Sequence, residues 1–272
     1  MIQVRVVSIN ILNDLSLWHL RRNLIVDQLF EMSPDLIGLQ EVSLKDGKDN
    51  AHWLTDSLNQ KISSGNPYEV YICPKTGKSV NIEGIAILSR LPVKRHTCID
   101  LETQSRVAQC VEIFYPEKTL LYINTHLFWQ PGESTERLRQ IERIIGWIGD
   151  CNHECPVIIG GDFNGTPDSK AIARLYHDFT SAHVAKHQQE PAYTASTPLP
   201  RSKIAIMKTI IGFLVELRPF KMRLGWHGTL DYIFFNHLIK TIDCQVVFNK
   251  PLSDNPRIYP SDHYGLMADL EI

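Results

Sequence analysis

The chain opens on a stretch, Val4 to Ile11, in which apolar residues dominate and polar ones fall at intervals of two or three, the signature of a buried strand. Residues 18 to 32 change period. Leu20, Leu24, Ile25, Leu29 and Met32 recur at helical spacing, and Pro34 ends the helix they predict. Leu36 to Gln40 reads as a strand that stops at Glu41. Gly84 to Leu88, Val107 to Phe114 and Thr119 to Thr125 read likewise, the last two joined by a short Pro-Glu-Lys turn suited to antiparallel neighbours. Ser134 starts a helix with Leu138, Ile141, Ile145 and Ile148 as its core stripe. Val157 to Ile159, Leu230 to Phe235, Cys244 to Phe248 and Gly265 to Leu270 complete the strands. Directly coupled strands argue against an all-parallel sheet. Many strands with few helices predict an α/β fold of two packed sheets with helices outside.

Composition adds bounds. At 272 residues and 43% hydrophobic content the chain can bury a large core, and no Pro, Gly or Ser tract divides it, so a single domain over 1–272 is expected. A net charge of -2 does not favour tight non-specific binding to a polyanion, although a local basic groove is compatible with it. The N-terminus lacks the basic, apolar, small order of a signal peptide, and no apolar run is long enough to span a bilayer. Six cysteines scattered through a large domain read as reduced thiols, hence a cytoplasmic expectation. Cys151, His153 and Cys155 lack a fourth ligand at zinc-finger spacing.

The polar residues fall at strand ends. Asn10 lies near the end of the first strand, Glu41 just past the second, His126 after Thr125, and Asp162 and Asn164 after Ile159. Asp231 starts another strand, and Asp262-His263 precedes the last. A strand terminus holds a side chain rigidly while a loop gives access. On an extended backbone Asp162 and Asn164 would point the same way. If these ends meet, they bring together carboxylates, amides and imidazoles suited to one or two Mg2+ ions, or Mn2+. Taken one at a time, each has a plainer reading: Asp162-Phe163-Asn164-Gly165 as a turn, Asp231 as a strand cap, His263 as a satisfied core histidine.

The ordered set Asn10, Leu39-Gln40-Glu41, Asn124-Thr125-His126, Gly161-Asp162-Phe163-Asn164, Leu230-Asp231-Tyr232 and Ser261-Asp262-His263 resembles the endonuclease/exonuclease/phosphatase superfamily of metal-dependent phosphoesterases, from end to end of the chain. The resemblance implies a four-layer α/β sandwich of two mixed β-sheets flanked by helices, with the site at one rim. It also implies roles. Glu41 would be the principal Mg2+ ligand with Asn10 close by, Asp162 would orient or deprotonate the attacking water, and Asn164 would hold that water or bind metal. His263 would contact the scissile phosphate, Asp231 would fix its tautomer, Asp262 would complete the metal and water network, and His126 would stabilise charge on the phosphoryl oxygens.

Substrate is expected to be nucleic acid or oligonucleotide ends. The segments 124–131 and 161–169 are similar to deadenylases and 2′,5′-phosphodiesterases, in which a proline at the Pro131 position and an aromatic at the Trp226 position enclose the terminal base. Trp129 is a further candidate for that contact, and base stacking on an aromatic face suits the task. The run Gly84 to Pro92 has instead the generic superfamily form, shared with sphingomyelinase-like branches. An insertion at about 197–225 carries an apolar run, 204–215, between basic flanks. It reads first as a helix or hairpin packed on the sandwich, and otherwise as a lid or an amphipathic surface that meets anionic lipid or nucleic-acid phosphate. Two alternatives therefore stand beside the nuclease reading: a lipid or inositol phosphoester hydrolase, and a non-catalytic phosphate-binding adaptor.

Overall fold

The computed structural model describes residues 2–45, 49–115, 118–149, 154–200 and 227–272. Strands β1 (Gln3–Asn10), β2 (Leu36–Ser43), β3 (Glu69–Pro74), β4 (Glu83–Ser89), β5 (Val93–Asp100), β6 (Val107–Tyr115), β7 (Lys118–His126), β8 (Val157–Asp162), β9 (Thr180–Ser181), β10 (Asp231–Phe235), β11 (Lys240–Val247) and β12 (Gly265–Glu271) form, among the described residues, two six-stranded sheets. The first runs β11-β12-β1-β2-β4-β3 and the second β5-β6-β7-β8-β10-β9. Both are mixed, since β1–β2 and β7–β8 pair parallel and their neighbours antiparallel.

Strand alternation sorts side chains into three apolar layers. Val4, Val6, Leu36, Leu120, Tyr122, Ile158 and Ile233 pack between the sheets. Val7, Ile9, Ile37 and Leu39 turn outward to Ile25 and Leu29 of α1 (Trp18–Met32) and Leu54 and Leu58 of α2 (Asn50–Lys61). Leu121, Ile123, Val157 and Ile159 turn outward to Ile141 and Ile144 of α3 (Thr135–Ile148) and Ile172 and Leu175 of α4 (Lys170–Asp178). A short α5 (Ala182–His187) packs on β10 and β11. The architecture is the four-layer sandwich expected from the sequence.

The inner faces change character along their length, and this change positions the site. On β1 the inward series is Val4, Val6, Ser8, Asn10; on β7 it is Leu120, Tyr122, Asn124, His126; on β8 it is Ile158, Gly160, Asp162. Each starts apolar and ends polar at the same rim. Beneath that rim the sheets are joined by buried hydrogen bonds: Gln40 Nε2 donates to Asn124 Oδ1 (2.7 Å) and Ser8 Oγ (3.2 Å), and Asn124 Nδ2 donates to the carbonyls of Leu39 (3.0 Å) and Ala86 (2.9 Å). A buried network of this kind fixes the register of one sheet over the other.

β3, β5, β9 and helices α2, α4 and α5 extend the set of elements expected from the sequence. β3 and β5 are edge strands whose side chains are largely half-exposed or exposed, so they lack the apolar run of a central strand. The insertion read at about 197–225 lies mostly in residues 201–226, outside the described residues.

Gly161 is required by close approach. A Cβ there would stand 2.1 Å from the carbonyl oxygen of Thr125 on β7, and a paired strand cannot yield that distance cheaply. Gly161→Ala should therefore cost at least about 1–3 kcal/mol, the usual overpacking penalty. Urea denaturation checks this, and an unchanged midpoint would contradict the packing described.

Candidate active site

Three strand-end residues share one row of the second sheet. Register pairs His126 of β7 with Asp162 of β8, and Asp162 with Asp231 of β10. Period-two alternation turns all three inward, and all are buried. His126 Nε2 lies 3.5 Å from Asp162 Oδ2. The pair is not an ion pair, because burial and the charges of Arg106 and Lys75 hold the His126 imidazole well below its usual range and neutral.

The first sheet supplies Glu41 by an irregularity. Pairing of β2 with β4 shifts between Leu39 and Val42, and Glu41 there takes φ 56°. A bulge of this kind re-aims a side chain at a rim. Asn10 links the two sheets, its Nδ2 donating to Glu41 Oε1 (3.2 Å) and to Asp162 Oδ2 (3.0 Å). Its Oδ1 accepts from Leu12 N–H (3.0 Å), and the second Glu41 oxygen accepts from Asn13 N–H (2.9 Å). Asn10 can thus ligate a cation only through the remaining lone pair of Oδ1.

The loop before β12 delivers His263. Its Nδ1 donates to Asp231 Oδ2 at 2.9 Å, leaving Nε2 as the other ring nitrogen to act. Thr194 steadies the partner, its hydroxyl donating to Asp231 Oδ2 (2.6 Å) while accepting from the N–H of Leu230 (3.0 Å) and of Asp231 (3.1 Å). Burial alone would lower the His263 pKa, but the Asp231 and Asp162 carboxylates override it and push it well above the usual range. Asp162 moves upward as well, to about 7, through burial and the Asp231 charge.

Asn164 departs from the expected geometry. The strand ends at Asp162, and Asn164 adopts φ 49°, so the two do not project side by side from an extended backbone. Asn164 caps Asp162 instead, its N–H donating to Oδ1 (2.9 Å) and its Nδ2 to Leu127 O (3.1 Å). Asp262 is buried beside His263, with Ser261 Oγ donating to its Oδ1 at 3.4 Å. Trp129 is half-buried and Pro131 exposed on the loop leaving β7. That loop is clamped by the buried Arg137 guanidinium, which donates to the carbonyls of Phe128 (3.3 Å), Gln130 (2.5 Å) and Gly132. Arg21 acts alike across the rim, donating to Ile11 (2.8 Å) and Leu12 (3.2 Å) after β1 and to Pro260 (2.9 Å) before Asp262. Trp226 and the 204–215 run fall outside the described residues, as do Cys151 and His153.

Sequence reasoning missed a cationic group at this rim. Arg106, 5% exposed, has no hydrogen-bond partner on Nε or Nη1 among the described residues, and its charge is felt by Glu83, Glu41 and Asp162. Lys75 pairs with Glu83, which also accepts from Asn13 Nδ2 (2.9 Å). A buried guanidinium without donor satisfaction is costly unless an anion completes it. Nothing in the local sequence around Arg106 marks it, because the surrounding carboxylates come from three distant segments.

The model for the Endonuclease/Exonuclease/phosphatase family matches residues 7–263, nearly the whole chain. The chain belongs to that family. Among its relatives, 2′,5′-phosphodiesterase 12 of Mus musculus is 30% identical over 169 residues, 57% of this chain and 26% of that protein. The "Probable RNA exonuclease NGL3" of Saccharomyces cerevisiae is 25% identical over 224 residues, 79% of this chain and 41% of that protein. The matched region thus spans under half of either relative. The human Nocturnin catalytic domain with bound sulfate superposes with a TM-score of 0.72 at 21% identity, covering 99% of this chain and 93% of that one. D. rerio TDP2 complexed with a single-strand DNA product gives 0.73 at 16%, covering 99% of each. At these identities the likeness speaks to the fold.

The donor chemistry of this family member fits a hard divalent cation. Asp162, Asp231 and His263 bring ligand atoms within 4.8 Å of one another, Asp231 Oδ1 has no hydrogen-bond donor among the described residues, and the two buried carboxylates repel. A cation beside them would relieve that repulsion and draw Asp162 back towards its ionised form.

The sign of the Asp231 effect is testable in metal-free protein. Asp231→Asn removes the largest of the three carboxylate charges that hold His263 protonated, so the imidazole pKa should fall. Proton NMR of the His263 ring should show the cation at neutral pH in the parent and the neutral ring in the variant. The same midpoint in both would contradict the coupling.

Proposed function

We propose that the chain is a divalent-metal-dependent phosphodiesterase acting on the ends of nucleic acid or oligonucleotides. The observation that carries the reading is the aligned row His126, Asp162, Asp231, with His263 held 2.9 Å from Asp231 and Asn10 bridging Asp162 to Glu41. Phosphodiester hydrolysis needs an in-line water, neutralised phosphoryl oxygens and help for the leaving oxygen. Relatives named as a 2′,5′-phosphodiesterase and a probable RNA exonuclease support the substrate class.

Glu41 and Asp162, tied together through Asn10, would hold Mg2+ or Mn2+, with the Asp231 and Asp262 carboxylates beside them. When bound, such an ion supplies charge neutralisation at the non-bridging phosphate oxygens. Asp162, in its ionised form, accepts the proton of the attacking water. Asn10 and Asn164 fix the direction of its oxygens. His263, kept cationic by Asp231, presents Nε2 to the phosphate, and neutral His126 donates a hydrogen bond to a phosphoryl oxygen. Arg106 completes its donors on the same anion. Trp129 and Pro131 lie on the clamped loop beside His126, and stacking of a terminal base there gives the preference for nucleotide ends. The alternative through lipid has its sequence basis in 204–215.

A substrate panel separates the readings. With Mg2+, the protein is incubated with oligo(A) RNA, 2′,5′-oligoadenylate, DNA, sphingomyelin and inositol phosphates. Cleavage of an oligonucleotide is expected, turnover of lipid alone refutes the proposal, and no turnover at all favours a binding adaptor. Glu41→Ala and His263→Ala should each lower the rate by about 10²–10⁴-fold with the fold intact. Near-normal rates would break the role assignment.

Arg106→Gln gives an independent check. It removes a buried guanidinium whose Nε and Nη1 find no acceptor among the described residues, so thermal stability should hold or rise while kcat/KM falls about 10²–10³-fold. Lost stability with unchanged kcat/KM would make Arg106 structural.

A further inference from the structure

β3 and β5 are edge strands of different sheets, yet their side chains meet. The rings of Tyr71 and His96 stand 5.5 Å apart, and two residues further along each strand Cys73 and Cys98 come near enough for each thiol to shift the titration of the other. Cys98 Sγ also lies 3.7 Å from His96 Nε2, and the Gln109 side chain, 3.0 Å from the same nitrogen, fixes the ring. The two cysteines differ in access, since Cys98 is exposed and Cys73 is buried. This cluster lies outside the machinery described above and is independent of the proposed activity.

We propose that Cys98 and Cys73 form a peroxide-responsive dithiol, in which oxidation closes a disulfide between the free edges of the two sheets. The thiolate is the reactive form of cysteine. The Cys73 thiol, with a further contribution from His96, draws the Cys98 pKa down to about 6 against burial, while Cys98 and burial push that of Cys73 up. Cys98, exposed and 3.7 Å from His96 Nε2, is the attacking sulfur, and buried Cys73 the resolving one. The Cys98 thiolate attacks a hydroperoxide oxygen, forming an S–O bond as the O–O bond breaks, and the departing alkoxide or hydroxide takes a proton. Cys73 then attacks the Cys98 sulfenic sulfur, forming S–S and releasing its own proton with the hydroxyl as water. The balance is two thiols and one hydroperoxide giving one disulfide, one alcohol (water, when the oxidant is hydrogen peroxide) and one further water. Cys73 is separated from Lys75 by Pro74 alone, so the bond would anchor the strand that carries the Lys75–Glu83 pair at the site's rim.

The test treats the reduced, full-length protein at neutral pH with hydrogen peroxide, followed by alkylation and peptide mapping. The expected product has lost two hydrogen atoms and yields a linked peptide containing Cys73 and Cys98. Cys73→Ala should stop at a Cys98 sulfenic acid trapped by dimedone, and Cys98→Ala should leave Cys73 as a thiol at the same dose. His96→Gln should slow reaction of Cys98 with iodoacetamide by roughly tenfold. A reduced Cys98 after excess peroxide, or a persistent Cys98 sulfenic acid in the parent protein with no linked peptide, overturns the proposal.

Discussion

One carboxamide spans the gap between the sheets. Asn10 Nδ2 donates to Glu41 on the first and to Asp162 on the second, so two carboxylates that would repel are held by a shared donor. Everything else at the rim depends on that alignment. The Gln40–Asn124 hydrogen bond beneath it fixes how one sheet lies over the other, and Gln40 immediately precedes Glu41 while Asn124 lies two residues before His126. A slip of one residue in either sheet would turn the polar ends of β1, β7 and β8 away from each other.

The charges at the rim are assembled from both sheets and are not balanced in isolation. Glu41, Asp162, Asp231 and Asp262 face His263, Arg106 and the Lys75–Glu83 pair, and among the described residues Asp231 Oδ1 and Arg106 Nε and Nη1 lack partners. Asp231 Oδ1 calls for a donor or a cation, and Arg106 Nη1 calls for an anion. A cation and a phosphate together would satisfy both demands, which is the basis of the phosphodiesterase proposal. The two buried arginines outside this group, Arg21 and Arg137, spend their donors on loop carbonyls and so hold the rim in shape.

Much of this was legible in the sequence because strand ends are local features. Asn10, Glu41, His126, Asp162, Asp231 and His263 each follow or begin an apolar run, and their order carried the family resemblance. The α/β sandwich followed from the same runs. Lys75, Arg106 and Thr194 were not legible, because their meaning lies in partners from remote segments and their own neighbours carry no pattern. β5, with Lys94, Arg95 and Thr97 along its length, has the composition of an edge rather than of a core strand. Asn164 was misplaced for a conformational reason. The two-residue spacing from Asp162 implies a shared face only while the backbone stays extended, and it turns left-handed at Asn164.

The account holds that Glu41 on one sheet and Asp162 on the other work as a single unit through Asn10. A double-mutant cycle on oligonucleotide hydrolysis measures that directly, comparing Glu41→Ala, Asp162→Ala and the double variant under the same Mg2+ concentration. The account predicts that the double variant is about as slow as the slower single variant, since residues acting as a unit are not additive. Losses that multiply would contradict it, and would mean that the two sheets contribute separately.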